Sequence, residues 1–254
     1  MTTNLIENGK LEIVLTNKTE LEQIVKSAIT LVDEIEFNVD SESISIRTMD
    51  RSHVALIDVL LNKESTERYN VESEHKINLL ATDLLKILAQ FDPKERIKLE
   101  VDQGLFKISD YEGFSASTRI LTDGYSGSNT PLPKLSFNTK FVLEDKQLKT
   151  LIKRSSLSEY FTIESNNSKG VTFIGRNDSG EFKQTFSLVG LDSSDDSLTT
   201  YSADYIVKFL KSLTVIKPEN VTFEYSSKMP LRITVNLNQV INRIHFYLAP
   251  RITE

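Results

Sequence analysis

The feature that most constrains this fold is a duplication: one order of elements runs through the first half of the chain and begins again in the second. Residues 11–15 read as a strand, and Asn17 or Thr19 can cap a helix whose apolar residues Leu21, Ile24, Val25, Ala28 and Leu31 recur at helical spacing. Alternating, β-branched runs follow at 43–48 and 54–61. A second helix is capped by Thr82 and carries Leu84, Leu85, Ile87 and Leu88 on its apolar side, before strands at 97–101, 105–109 and 114–121. Gly124, Gly127, Asn129, Pro131 and Pro133 then interrupt all periodicity and mark a linker. Beyond it come a strand at 140–143, a helix over 144–156 and strands at 161–164, 171–175 and 182–189. A helix capped by Ser202, with Ile206, Phe209, Leu210 and Leu213, precedes strands at 221–225, 231–237 and 244–248. The clearest local match pairs Ala81-Thr82-Asp83-Leu84-Leu85 with Ser202-Ala203-Asp204-Tyr205-Ile206, and a second pairs residues 95–100 with 219–224. A period of half the chain points to two similar α+β domains, since solenoid repeats run about 20–50 residues. The expected divisions are 1–121, a connector at 122–134, and 135–254.

With 254 residues the chain can bury a core in each half without staples, and it contains no cysteine, which removes disulfides, thiolate metal sites and cysteine nucleophiles together. The segment 1–10 is polar and no apolar run approaches the roughly 20 residues of a membrane span, so a soluble intracellular protein without membrane contact is expected. A formal net charge of −6 disfavours nucleic acid on average, because phosphates attract only local clusters of positive charge in an acidic chain. Such a cluster exists. In the helix over 144–156, Lys146, Lys149 and Lys153 fall at i, i+3 and i+7 with Arg154 beside them, while Leu148, Leu151 and Ile152 face elsewhere. Lys208 and Lys211 repeat the device in the last helix, and the two earlier helices offer Lys18, Lys26 and Lys86. One basic stripe is most often a solvated face. Four in a duplicated frame suit weak, sequence-blind contact with phosphates, whereas base readout calls for Arg, Asn and Gln presented into a groove.

Recognisable catalytic patterns are missing. His53, His75 and His245 stand far apart and outside any H-E-x-x-H arrangement, so no metal site is expected. Neither a G-x-G-x-x-G nor a Walker lysine loop nor a G-x-S-x-G elbow occurs, and residues 192–196 lack the glycine and terminal glutamate of a calcium loop, which leaves them as a solvated loop. An acid–base pair such as Asp50 and His53 is the enzyme reading to be tested against; the expectation is no catalytic residue and no cofactor.

Three segments carry a family resemblance: residues 47–56, with Met49, Asp50, Ser52, His53 and Val54; Met229-Pro230-Leu231; and residues 246–252, with Tyr247-Leu248-Ala249-Pro250. They resemble sliding clamps of the proliferating cell nuclear antigen type, and the cysteine-free composition and short ending are similar to archaeal members. The resemblance implies a DNA clamp fold: two similar domains, each with two helices packed on antiparallel sheets, closing as a homotrimer into a pseudo-sixfold ring with helices inside. It implies a processivity factor that encircles duplex DNA without sequence specificity, is loaded by a replication factor C type clamp loader, and recruits DNA polymerase, flap endonuclease and DNA ligase through short motifs. One subunit of a heterotrimeric or checkpoint-type clamp is the alternative. The DNA-facing residues would be Lys18, Lys26, Lys86, Lys146, Lys149, Lys153, Arg154, Lys208 and Lys211. The partner pocket would comprise Met49, His53, Val54, Leu56, Leu132, Pro133, Pro230, Tyr247, Ala249, Pro250 and Ile252. The subunit interface would join Phe114, Ala116, Thr118 and Ile120 to Phe182, Gln184, Phe186 and Leu188. The compartment would be the cytoplasm, at the nucleoid, if archaeal, and the nucleus if eukaryotic.

Overall fold

The computed structural model describes residues 10–122, 130–155, 158–166, 170–178, 180–187, 191–193, 196–237 and 242–251. The first half runs β1 (Leu11–Leu15), α1 (Thr19–Ala28), β2 (Glu34–Val39), β3 (Ser43–Met49) and β4 (Ala55–Asn62), then β5 (Arg68–Val71), β6 (His75–Leu80) and α2 (Ala81–Leu88). It ends with β7 (Ile97–Asp102), β8 (Leu105–Ser109) and β9 (Ser115–Arg119). The second half repeats that order with β10 (Thr139–Glu144), α3 (Asp145–Arg154), β11 (Tyr160–Asn166), β12 (Gly170–Asn177), β13 (Gly180–Phe186), β14 (Asp192–Ser193), β15 (Ser197–Ser202) and α4 (Ala203–Ser212). β16 (Asn220–Tyr225), β17 (Leu231–Asn236) and β18 (Arg243–Leu248) complete it.

The sheets cross the repeat. A five-stranded sheet (β5-β1-β7-β8-β9) belongs to the first half and a four-stranded sheet (β13-β12-β11-β15) to the second. Between them lies a nine-stranded sheet, β14-β10-β16-β17-β18-β4-β3-β2-β6, in which five strands of the second half join four of the first through β18 and β4. All pairings are antiparallel, and alternation of the β10 type, with Thr139, Phe141 and Leu143 buried and Lys140, Val142 and Glu144 exposed, turns one face of each strand toward the core.

Helices cover the inner faces as one row, α2 beside α1, α1 beside α4 and α4 beside α3. Their apolar stripes do this: Leu21, Ile24, Val25 and Ala28 from α1, Leu84 and Leu88 from α2, Leu148 and Leu151 from α3, and Ile206, Phe209 and Leu210 from α4 are buried, with Phe209 stacked on Phe246 of β18 at 4.7 Å. The α1–α4 contact, where the halves meet, is fastened by Gln23, which is fully buried, donates to the Ser212 carbonyl at 3.1 Å and accepts from the Val215 N–H at 3.3 Å. A buried amide with partners on both its O and N atoms specifies one relative placement of the two helices. Gly170, at φ +94°, is required where β12 begins, because a Cβ there would lie 2.2 Å from the Phe186 carbonyl oxygen.

Several expectations need correction. Thr82 does not cap α2: β6 runs straight into the helix, which begins at Ala81 with its N–H bonded to the Asp33 carbonyl at 2.9 Å. The Ala203 N–H bonds the Glu159 carbonyl in the same way at 3.0 Å, so Ser202 precedes α4 but its side chain makes no capping bond. This equates Ala81 with Ala203 and Leu84 with Ile206, one residue away from the alignment that paired Ala81 with Ser202. The helix over 144–156 is Asp145–Arg154, with Glu144 as N-cap in a capping box with Gln147, and residue 156 lies outside the described residues. β9 is shorter than 114–121 because Asp110 accepts the N–H groups of Glu112, Gly113 and Phe114, holding Phe114 in the preceding turn. β2, β5, β6 and β15 are strands that the local pattern does not predict, and Asp192 and Ser193, expected in a loop, pair with Lys140 and Thr139.

Candidate binding surfaces

Where β4 meets β18, side chains from four segments line a concavity of about 220 Å³: Met49, His53, Val54, Ala55 and Leu56 from the β3–β4 corner, Pro131 and Pro133 from the connector, Pro230 before β17, and Tyr247 and Ala249 from the end of the chain. The corner is built on Asp50, buried to 5% exposure, whose Oδ1 accepts the N–H groups of Val54 and Ala55, both at 2.8 Å, and whose Oδ2 accepts that of Ser52 at 3.1 Å and the Tyr205 hydroxyl at 2.7 Å. Burial pushes the Asp50 carboxyl up, but the bonds from Ala55, Tyr205, Val54 and Ser52 together outweigh it and hold it below its usual range. The turn forces His53 to φ +58°, which a histidine adopts more readily than a branched residue. The consequence is an exposed His53 and Val54 at the rim and a buried Leu56 in the wall. A carboxylate fully engaged by its own turn and by Tyr205 is a structural group, so the Asp50–His53 acid–base reading loses its base.

The connector is held by Arg47. Its Nε and Nη2 reach Asp58 Oδ1 at 2.9 and 2.8 Å, and its Nη1 donates to the Thr130 carbonyl at 3.1 Å. Pro131 and Pro133 then turn to the concavity while Leu132, 37% exposed, is not part of its lining. Leu132 therefore does not line this concavity, whereas Pro131 and Ala55, which were not among the expected residues, do. Pro250 is also outside the lining, and Ile252 lies outside the described residues. Ala249 closes the other side by donating its N–H to the Val54 carbonyl at 2.8 Å. His245, on the outer face of β18 and bonded to Thr234 at 2.9 Å, is pushed down to about 4 by burial and by the Arg232 and Arg243 charges, so it is neutral near pH 7. Among the described residues no group of three or more His, Asp or Glu is placed to hold a metal ion.

On the helix row, Lys86, Lys149 and Lys208 are exposed and each pairs with the acid in its own first turn, Asp83, Asp145 and Asp204, at 2.9, 2.5 and 2.7 Å. Lys26 pairs with Glu22 at 2.8 Å and is half-buried. Lys18 cannot face solvent: it is 5% exposed, its Nζ donates to the Leu88 carbonyl at 2.6 Å and lies 3.4 Å from Glu22, so it closes the C-terminal end of α2. Lys146, Lys153 and Lys211 are exposed, and Arg154, exposed too, donates to Gln184 of β13. Positive charge is therefore concentrated on α3, with four cations against one acid, and thin on α1 and α2.

Among the described residues six strands end a sheet with one side unpaired, and β9 and β13 are two of them, beside β5, β6, β14 and β15. Phe114 is exposed beside β9, packed edge-on to Phe91 at 5.2 Å, whereas Phe186 is buried and Phe182 half-buried on β13; Leu188 lies outside the described residues.

Comparison with known proteins agrees with this architecture. The sequence profile described as "Proliferating cell nuclear antigen, N-terminal domain" matches residues 10–108. The DNA polymerase sliding clamp of Nitrosopumilus maritimus (strain SCM1) is 33% identical over 240 residues, covering 92% of this chain and 95% of its own. The crystal structure of PCNA from Thermococcus kodakaraensis superposes with a TM-score of 0.85 at 21% identity, over 95% of this chain and 100% of that one. A. fulgidus PCNA, in a structure with the C-terminal region of FEN-1 bound, superposes with a TM-score of 0.83 at 18% identity, over 96% and 99%. With the duplicated sheets, the helix row and these relationships in place, the chain belongs to the proliferating cell nuclear antigen family of DNA polymerase sliding clamps.

Proposed function

We propose that three copies of this chain close into a ring around duplex DNA, which slides while partner enzymes dock in the concavity at the β4–β18 joint. The observation that carries the ring is the joint already made inside the chain. β9 holds the place in the first half that β18 holds in the second, and β13 holds the place of β4. The internal β18–β4 pairing is thus a template for pairing β9 of one copy with β13 of the next. Carried through the registers of the neighbouring strands, Phe246 opposite Ile57 becomes Ala116 opposite Phe182, and His245 opposite Asp58 becomes Ser115 opposite Lys183. The contact is head to tail, which closes a ring or runs on as a filament according to its rotation, and it removes these two open edges at once. The helix row would continue from α3 of one copy to α2 of the next.

In this reading residues 1–121 and 135–254 are the two clamp domains and 122–134 the connector, and the protein works on DNA as a processivity factor rather than an enzyme. The exposed cations of α3 and α4 line the hole; Lys149 and Lys208 lie beside an acid, exposed charges of this kind are screened by salt, and enclosure supplies the persistence. The concavity has proline and methionine walls around an apolar floor, suited to aromatic anchors from several partners. The FEN-1 segment seen on A. fulgidus PCNA supports a flap endonuclease among them; polymerase, ligase and a clamp loader follow from the family reading.

The ring is tested by a disulfide. The chain has no cysteine, so Ser115→Cys with Lys183→Cys introduces one matched pair. Mild oxidation should yield covalent species up to a trimer and no larger. A ladder without end, or no cross-link, would count against the joint.

A further inference from the structure

The Asp50 carboxylate that shapes the rim of the concavity takes three hydrogen bonds from its own turn and the fourth from far along the chain, the Tyr205 hydroxyl at 2.7 Å. Tyr205 lies in the first turn of α4, whose attachment does not depend on it: Ala203, Ile206, Phe209 and Leu210 bury that helix in the core. The β3–β4 corner, by contrast, is otherwise held by bonds within itself, from the Asp50 N–H to the Ala55 carbonyl and from the His53 N–H to the Asp50 carbonyl, both at 3.0 Å. Arg51, Ser52, His53 and Val54 are exposed, His53 sits at a positive φ, and the corner's link to the tail is the Ala249–Val54 bond at 2.8 Å. We propose that Tyr205 is a positioning residue for the partner socket, holding the 50–54 turn in its receptive shape through Asp50 Oδ2.

The inference rests on the reading of this concavity as the partner socket. Its physical content is preorganisation. The walls come from four separate segments, so the spacing between Val54 and the Pro131, Tyr247 and Ala249 side is set by how firmly the corner is seated. Without the hydroxyl, Oδ2 keeps one bond, from Ser52, the corner keeps its own turn but loses its tie to α4, and its seating against the rest of the wall must be fixed when a ligand binds. Burial first and Asp50 second push the Tyr205 hydroxyl up to about 12, so it remains a donor throughout the neutral range. The second half of the chain thereby sets the geometry of a site whose rim belongs to the first.

The test is Tyr205→Phe in the full-length protein, which removes one oxygen and keeps the ring. A labelled synthetic peptide with a glutamine followed by spaced aromatic anchors is titrated by fluorescence anisotropy, alongside solution mass, thermal midpoint and the backbone amide resonances of Val54 and Ala55. The expected result is about tenfold weaker peptide binding, the scale of a lost hydrogen bond to a charged group, with mass and midpoint unchanged and the two amide resonances shifted or broadened. Unchanged affinity, with Val54→Glu still weakening binding, would overturn the proposal alone. A parallel fall in midpoint or mass would reduce Tyr205 to a structural residue and overturn it as well. Peptide binding indifferent to Val54→Glu would remove the socket reading and this proposal with it.

Discussion

Ser117→Pro is expected to convert the ring into monomers while leaving each chain folded. The bonds from the Asp110 N–H to the Phe114 carbonyl and from the Ile120 N–H to the Gly104 carbonyl, at 3.0 and 2.9 Å, fix the phase of the β8–β9 ladder. In an antiparallel pair the bonded positions alternate, so residues 114, 116, 118 and 120 turn their N–H groups to β8 and residues 115, 117 and 119 turn theirs to the open edge. Proline at 117 therefore costs no bond within the chain. It deletes the donor that would meet the Glu181 carbonyl of the next copy and sets a pyrrolidine ring against it. A loss of about 2–3 kcal/mol per joint, on the order of a hundredfold in association, is enough to disperse the ring at micromolar concentration. Thr118→Pro is the contrasting variant, because it breaks the ladder to β8 and should lower the thermal midpoint. Light scattering with circular dichroism separates the two; a trimeric Ser117→Pro would mean that β9 is not the joining edge.

Val54→Glu should have the second large effect, on partner binding with the ring intact. The Val54 side chain is 37% exposed at the rim, and its backbone is already engaged, its N–H by Asp50 and its carbonyl by Ala249, so the substitution burdens no core contact. It puts a carboxylate where an aromatic anchor would shed water, and stripping that carboxylate of water against the proline and methionine walls is costly. Affinity for an anchor-bearing peptide should fall by about 2–3 kcal/mol, roughly 30- to 150-fold, by calorimetry or anisotropy. Wild-type affinity in a folded trimeric variant would place the binding site elsewhere.

How far the sequence carried these conclusions differs from element to element. The helices were legible because stripes such as Leu21, Ile24, Val25 and Ala28 leave one solution for a two-layer domain. Strands such as Leu105–Ser109 were legible to the residue. β15 was not, because its inward positions include Ser197 and Thr199, buried in bonds to Ser165, Thr139 and Ser226, and such polar burial has no local signature. The split of the sheets was equally out of reach, since the β18–β4 pairing joins residues nearly 190 apart and only the assembled fold brings them to one register. Of the residues named from the family resemblance, Met49, His53, Val54, Leu56, Pro133, Pro230, Tyr247 and Ala249 line one concavity, while Pro131 and the Tyr205–Asp50 bond needed coordinates. Lys18 shows the limit of charge reading: a lysine on a helix looks outward in sequence, yet this one's long stem carries its ammonium into the end of α2.

Whether the ring forms unaided is read from the mass of the purified wild-type chain in solution, by light scattering at several concentrations and physiological salt. A self-sufficient ring gives a concentration-independent species at three times the 28.8 kDa of one chain. A monomer that persists at high concentration would contradict the self-sufficient ring and point to sister subunits supplying the edges that β9 and β13 meet.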